Sequence, residues 1–367
     1  MNFKIVGDVT VNWTYVRLLL MSCVILLFSA GYIPKNIIDK VTLVQMIVFE
    51  KKNLLSLSFV APIKEKGNKV RLYHGLAHTM MQAKNHANQV ARRPLVTGQL
   101  RVVLFSKKLA KEGIFSYVDT LIQDPSIGGL AYLAIIEGDV QKFLNYKYNS
   151  KENVSIYTHH LLEHNMKNGA LPHENLNICN FKLYQMGNDL FLPIVTQENG
   201  KIGITGLALF KGDQMVGNLK PNDFFIFKNL LEKHKLNIHT FSYGSGYVLI
   251  QNLISKPQYF IHKKHGGDPI FSISIQMTGR LLEYTGHKNL SSQRIAQIEH
   301  KIEKELNHQS QKLIRKFQAK QIDPLGLGAK YKTHYRPFQW KEWKKIYPNI
   351  DVRVFYRVTL SETGTIE

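Results

Sequence analysis

The chain has 367 residues, 44% of them apolar and 20% charged, with 48 Lys and Arg against 27 Asp and Glu. That balance excludes a mainly disordered protein and provides for two or three domains of about 100–200 residues. The net charge of +21 favours polyanionic partners, whether nucleic acid, anionic lipid head groups or an acidic envelope polymer.

Only residues 18–33, LLLMSCVILLFSAGYI, approach a spanning length, so a polytopic membrane protein is not expected. With Lys4 and Arg17 ahead of it, the run reads as a cleaved secretory signal, an uncleaved signal anchor or a lipoprotein signal. In the lipoprotein reading Cys23 is the lipid-attachment residue. Five residues separate it from Arg17 and another apolar run follows, whereas Ser29-Ala30-Gly31 is a better cleavage site and holds no cysteine. Cys23 and Cys179 are too few for a disulfide framework or a four-cysteine zinc site.

Residues 43–49 and 54–60 predict strands joined by the polar turn Glu50-Lys51-Lys52-Asn53, and Pro62 and Gly67 mark a loop. Residues 79–92 predict a helix and 100–105 a strand. A short helix over 107–111 stops at Gly113, and another over 115–122 stops at Asp124-Pro125. A buried strand over 132–136 and a helix over 156–165 come next. Residues 181–186 and 190–195 predict a hairpin around Gly187-Asn188-Asp189, and 202–219 a second one around Lys211-Gly212-Asp213-Gln214. A helix over 224–233, a glycine-serine break over 241–246, and strands over 247–253, 259–262 and 271–279 follow. Between 292 and 321, Ile295, Ile298, Ile302, Leu306, Leu313 and Phe317 form one stripe of a long helix. Asp323-Pro324-Leu325-Gly326-Leu327-Gly328 ends it. An aromatic helix over 337–347 and an alternating strand over 350–360 complete the chain.

No P-loop, GxGxxG, GxSxG or HExxH motif occurs, so no catalytic, cofactor or metal residue is assigned. His160 and His164 share a helical face with Glu163, but an Asn/His/Lys-rich segment reads as a solvated surface rather than a zinc site. His74, His78 and His86 are no stronger. The acidic residues single out no pair for glycoside hydrolysis. Between Lys301 and Lys345 there are 12 Lys and Arg against four acids, interleaved with Tyr331, Tyr335, Trp340, Trp343 and Tyr347. Base stacking is one reading of that pattern. An export segment and neighbouring leucines favour a domain core with solvated lysines, so nucleic acid is not expected as a partner.

Four elements, in order, resemble the spore germination GerAC family, the C subunit of nutrient germinant receptors. They are Lys107 to Ile114 (KKLAKEGI), Leu121-Ile122-Gln123-Asp124-Pro125, Gly206 to Asp213 (GLALFKGD) with Val216-Gly217 and Leu219, and Phe317-Gln318 through Asp323 to Gly328 with Trp340, Trp343 and Tyr347-Pro348. The resemblance implies an α+β protein of three mixed sheet-and-helix domains behind an N-terminal apolar anchor. The divisions expected are 1–35 for the signal or anchor, 36–198, a β-rich 199–265, and 266–367 with the long helix. It implies a non-enzymatic subunit without cofactor, membrane-anchored and extracytoplasmic at the spore inner membrane. Its implied partners are the receptor's A and B membrane subunits and an anionic membrane surface. Gly206, Phe210, Gly217, Asp124, Gly326 and Gly328 are the structural or interface candidates. An exported spore-wall hydrolase and an exported polyanion-binding module are the competing functions. Three positions depart from the family pattern: Ser29-Ala30-Gly31-Tyr32 stands where its lipobox cysteine falls, Gln123 replaces an Arg, and Phe49-Glu50 replaces Gly-Asp.

Overall fold

The computed structural model describes residues 14, 16–18, 20–22, 40–63, 69–145, 152–169, 171–198, 200–263, 267–286, 290–336 and 338–361. Two compact units divide at residues 41 and 42. In the first, the described residues from 14 to 22 are helical, and Cys23 and the rest of the expected anchor lie outside the described residues. Among the described residues no helix is long and apolar enough to cross a membrane.

The second unit begins with β1 (Thr42–Leu43), β2 (Met46–Lys51), β3 (Leu55–Pro62), β4 (Val70–Ala77), α1 (Met80–Gln89), β5 (Leu95–Val96), β6 (Val102–Ser106), α2 (Lys107–Glu112) and α3 (Phe115–Gln123). It continues through β7 (Tyr132–Glu137), α4 (Val140–Leu144), α5 (Val154–Lys167), α6 (Leu176–Tyr184), β8 (Phe191–Glu198), β9 (Lys201–Lys211), β10 (Gln214–Leu219) and α7 (Pro221–Leu231). Last come β11 (Asn237–Tyr243), β12 (Gly246–Lys263), β13 (Pro269–Tyr284), α8 (Ser292–Ala319), α9 (Leu327–His334), α10 (Trp340–Ile346) and β14 (Asp351–Ser361).

Eight strands form one sheet in the order β10-β9-β8-β7-β6-β2-β3-β4. Its middle strands β2, β6, β7 and β8 are parallel, and antiparallel hairpins flank them. The middle strands are nearly continuous apolar runs because both faces are covered. On one face Phe49, Phe105, Leu133 and Phe210 pack with Leu109 of α2, Val118 of α3 and Cys179 of α6. On the other, Val48, Leu104 and Phe191 share a core with α5, α7 and the C-terminal layer. Phe227 of α7 links the layers, with its ring 5.0 Å from Phe191 and 5.6 Å from Phe317. The expected division at 198 and 199 falls between β8 and β9, which pair in this sheet.

The C-terminal layer is the sheet β11-β12-β13-β14 under α8. In β14 every second residue, from Val352 to Leu360, is buried against the apolar stripe of α8. The polar neighbours of that stripe are used as well. Glu299, Glu303 and Asn307 accept from the backbone N–H groups of Leu360, Val358 and Tyr356, at 2.6, 2.9 and 3.0 Å, and Gln311 donates to the Val352 carbonyl at 2.8 Å. Spaced four apart, these side chains lie along one helical line and satisfy the outer edge of β14.

Several elements differ from their sequence expectation. Residues 181–186 form no strand: α6 runs through Tyr184, because Asn175 caps it by accepting from Ile178 N at 2.9 Å and Leu176, Cys179 and Lys182 bury one side of it. Gly187-Asn188-Asp189 therefore joins a helix to a strand. Residues 247–253 and 259–262 belong to one strand, β12, which continues through Pro257. The break expected over 241–246 is confined to a turn at Gly244, since Phe241–Tyr243 pair within β11. Strands β4 and β11 had no sequence counterpart.

His234, after α7, is 7% exposed; its Nε2 lies 2.9 Å from Asn229 Oδ1 and its Nδ1 3.4 Å from Asn252 Nδ2. Burial, with Lys228 nearby, pushes its pKa down to about 3. The folded state thus binds fewer protons at this ring than the unfolded chain. Its contribution is complete above pH 6.5 and is lost as pH falls toward 3. The stability advantage of the native protein over His234→Gln should shrink by about 1.6 kcal/mol in all between pH 6.5 and 5 in urea titrations. A constant difference over that range would show that the ring is not held neutral by burial.

Candidate functional site

The loops that end α6 and α8 are tied together. Asp189 N donates to the Asp323 carbonyl at 2.9 Å, and Asp323 N donates to Asp189 Oδ2 at 2.6 Å. The other oxygen of Asp189 accepts from Gly212 N at 3.2 Å, in the β9–β10 turn. One carboxylate therefore joins the hairpin to the loop after the long helix.

Asp323 turns its own side chain the other way. Oδ1 accepts from Leu327 N at 3.0 Å and Oδ2 from Gly328 N at 2.7 Å, so the side chain holds the first turn of α9. Burial drives its pKa up to about 7, against these two donors and with Asp189 adding to the rise. Asp189 is raised for the same first reason. Both oxygens of both carboxylates are thus engaged by backbone N–H groups, an arrangement suited to fastening loops.

Small residues let the loops meet. Gly187 has φ +83°, and a Cβ there would stand 2.7 Å from Ala329 N, whose hydrogen is donated to the Gly187 carbonyl at 3.0 Å. A Cβ on Gly328 would stand 2.5 Å from Trp343 Nε1. Tyr347 Oη donates to the Ile322 carbonyl at 2.6 Å, and Lys330 Nζ donates to Leu325 O at 2.7 Å while lying 4.4 Å from the Tyr259 ring centre.

Two of the candidate residues, Gly326 and Gly328, belong to this clasp. Gly326 (φ +67°) faces the Asn188 side chain, and Gly328 sits between Gly187 and Trp343. Gly217 faces the Lys320 stem at the end of α8, where Lys320 Nζ donates to Val216 O at 3.3 Å and Lys316 Nζ to Asn218 O at 3.4 Å. Gly206 lies within β9 opposite Ile194, and Phe210 is fully buried on the face away from the C-terminal layer. Asp124 stands apart at the end of α3. Burial raises its pKa, but Ser126 N and Oγ, at 3.0 and 2.6 Å, and Lys84 at 3.5 Å outweigh that and hold it low. Gln123 donates to Asp119 of its own helix at 2.6 Å.

Asp189, Gly187 and Asn188 entered the sequence reading only as a turn, and Asp189 is the clasp's main acceptor. Tyr331, Trp343 and Tyr347 are buried in an aromatic cluster with Phe271, which removes them as stacking platforms for bases. His160 pairs with Glu152 at 2.9 Å and His159 lies 3.9 Å from Glu163. Glu174 and Lys182 form a buried pair, and burial lifts Glu174 to about 7 and the Cys179 thiol beside them well above its usual value.

Two family models cover this chain: "Spore germination protein N-terminal domain" over residues 34–197 and "Spore germination B3/ GerAC like, C-terminal" over residues 205–364. The spore germination protein GerQC of Bacillus cereus is 29% identical over 350 residues, 93% of this chain and 97% of its own. The putative spore germination protein YfkR of Bacillus subtilis is 21% identical over 78% of this chain and 77% of its own. The crystal structure of the GerBC protein superposes with a TM-score of 0.54 at 17% identity, covering 86% of this chain and 96% of that one.

Asp323→Asn and Asp189→Asn each point an amide donor at a backbone N–H that now has an acceptor. Each should lower the unfolding free energy by about 2–3 kcal/mol in urea titrations. The double variant should cost less than the sum, because neutralising Asp189 relieves the repulsion it places on Asp323. A change below about 0.5 kcal/mol for Asp323→Asn would remove the clasp as the fastening of these loops.

Proposed function

The chain belongs to the spore germination GerAC family, and from that premise we propose that it is the C subunit of a nutrient germinant receptor. In this reading it is held at the outer face of the spore inner membrane and works by touching the receptor's A and B membrane subunits. The observation that supports it most is that the two family models together run from residue 34 to 364. The similarity to GerQC over nearly the full length of both chains supports it further.

A contact role is also what the acidic residues suggest. Asp189 and Asp323 are occupied by backbone donors and Glu174 by Lys182, which leaves these buried carboxylates fastening structure. The basic balance of the chain suits an anionic membrane surface, where each nearby Lys or Arg contributes about 1 kcal/mol.

Affinity purification through a tag placed after Glu367, from detergent-solubilised spore membranes, should recover the chain together with two membrane proteins. Recovery of the chain by itself from the soluble fraction of spores would overturn the assignment.

A further inference from the structure

One face of the C-terminal sheet packs on α8 and the other is open. Strand register places residues in rows across the open face. Phe260, Ser272 and Arg353 form one row, Gln258, Ser274 and Phe355 the next, and Lys256, Gln276 and Arg357 the third. Beyond them come Ile254, Thr278 and Thr359, then Gln251, Arg280 and Ser361. Phe355 is 54% exposed, Phe260 47% and Ile254 38%. Small hydroxyl residues separate them on the central strand, so the apolar side chains on this face stand apart from one another.

Its charges are nearly all of one sign. Asp351 pairs with Arg353 at 2.6 Å, and Glu283 lies past Arg280 near the end of β13. Among the described residues Lys256, Arg280 and Arg357 have no acidic partner. The acids of the neighbouring helix are withdrawn, because Glu299 and Glu303 of α8 are bonded to the edge of β14.

We propose that this open face is the surface by which the protein lies on an anionic lipid bilayer. Lys256, Arg280 and Arg357 meet the head groups, and Phe355, Phe260 and Ile254 enter the interface between them. Uncompensated cations around exposed aromatic and aliphatic side chains on one sheet face complement a charged plane with an apolar interior. The two rings suit a base-stacking strand less well. They sit on the outer two of three strands, about 10 Å apart across two strand spacings, with only Ser272 and Ser274 between. The inference rests on the membrane-held reading and adds the side of the molecule that faces the lipid.

The test uses the full chain with Cys23→Ser, carrying an environment-sensitive fluorophore at Phe355→Cys or at Phe260→Cys; Cys179 is fully buried. The protein is reconstituted into vesicles of phosphatidylcholine alone or mixed with phosphatidylglycerol. Both labels should shift to the blue in the mixed vesicles at low salt and lose the shift at high salt. A label at Lys312→Cys, on the outward side of α8, should stay in water. Arg357→Gln and Arg280→Gln should each weaken the shift's dependence on phosphatidylglycerol about fivefold. Labels that stay wet at 355 and 260 while the protein floats with vesicles would overturn the inference and leave the membrane-held reading standing. Failure of the protein to float with either vesicle would overturn both. A blue shift produced by a single-stranded oligonucleotide and not by the mixed vesicles would overturn the lipid assignment.

Discussion

A carboxylate 3% exposed to solvent, Asp323, sits where the two layers of the larger unit meet. Taking such a group from water costs several kcal/mol, and the cost is offset only when its oxygens find donors. Here the donors are backbone N–H groups at the start of α9, and the backbone of the same residue is in turn held by Asp189. Meeting that requirement places the start of α9, and Asp189 ties the hairpin turn at Gly212 and the loop after α6 to the same residue. Glycine at 187 and 328 is a consequence, because the loops come too close for a side chain to stand between them.

The same economy of acidic groups shapes the outside. Asp189, Asp323, Glu174, Glu299 and Glu303 are used on backbone donors or a buried lysine. With 27 acids in the chain, each one turned inward leaves basic residues less balanced at the surface. The net charge read from composition thus becomes, in the folded molecule, a question of which faces lost their acids. The outer side of α8, whose Glu299 and Glu303 turn to the edge of β14, is one of them.

Where hydrophobic spacing is long and regular, the sequence was a sound guide. The stripe from Ile295 to Phe317, the alternation through β14 and the Gly-Asp turn of β9 and β10 all form as their patterns indicate. Local pattern misled at residues 181–186, whose aromatic content favours a strand, because the Asn175 cap and the buried Lys182 pairing with Glu174 commit the segment to a helix. It was silent at β4, where Arg71, His74 and Gly75 interrupt any alternation. The motif residues of the clasp were visible as turns, but their role was not. Asp189 and Asp323 stand 134 residues apart, and no local spacing reports a bond between them.

The line of acceptors on α8 does for the last strand what a fifth strand would do. The outward amides of Tyr356, Val358 and Leu360 are already spoken for. A second molecule arriving there finds no backbone to zip onto, so copies crowded side by side stay separate along that margin instead of fusing into an extended ribbon.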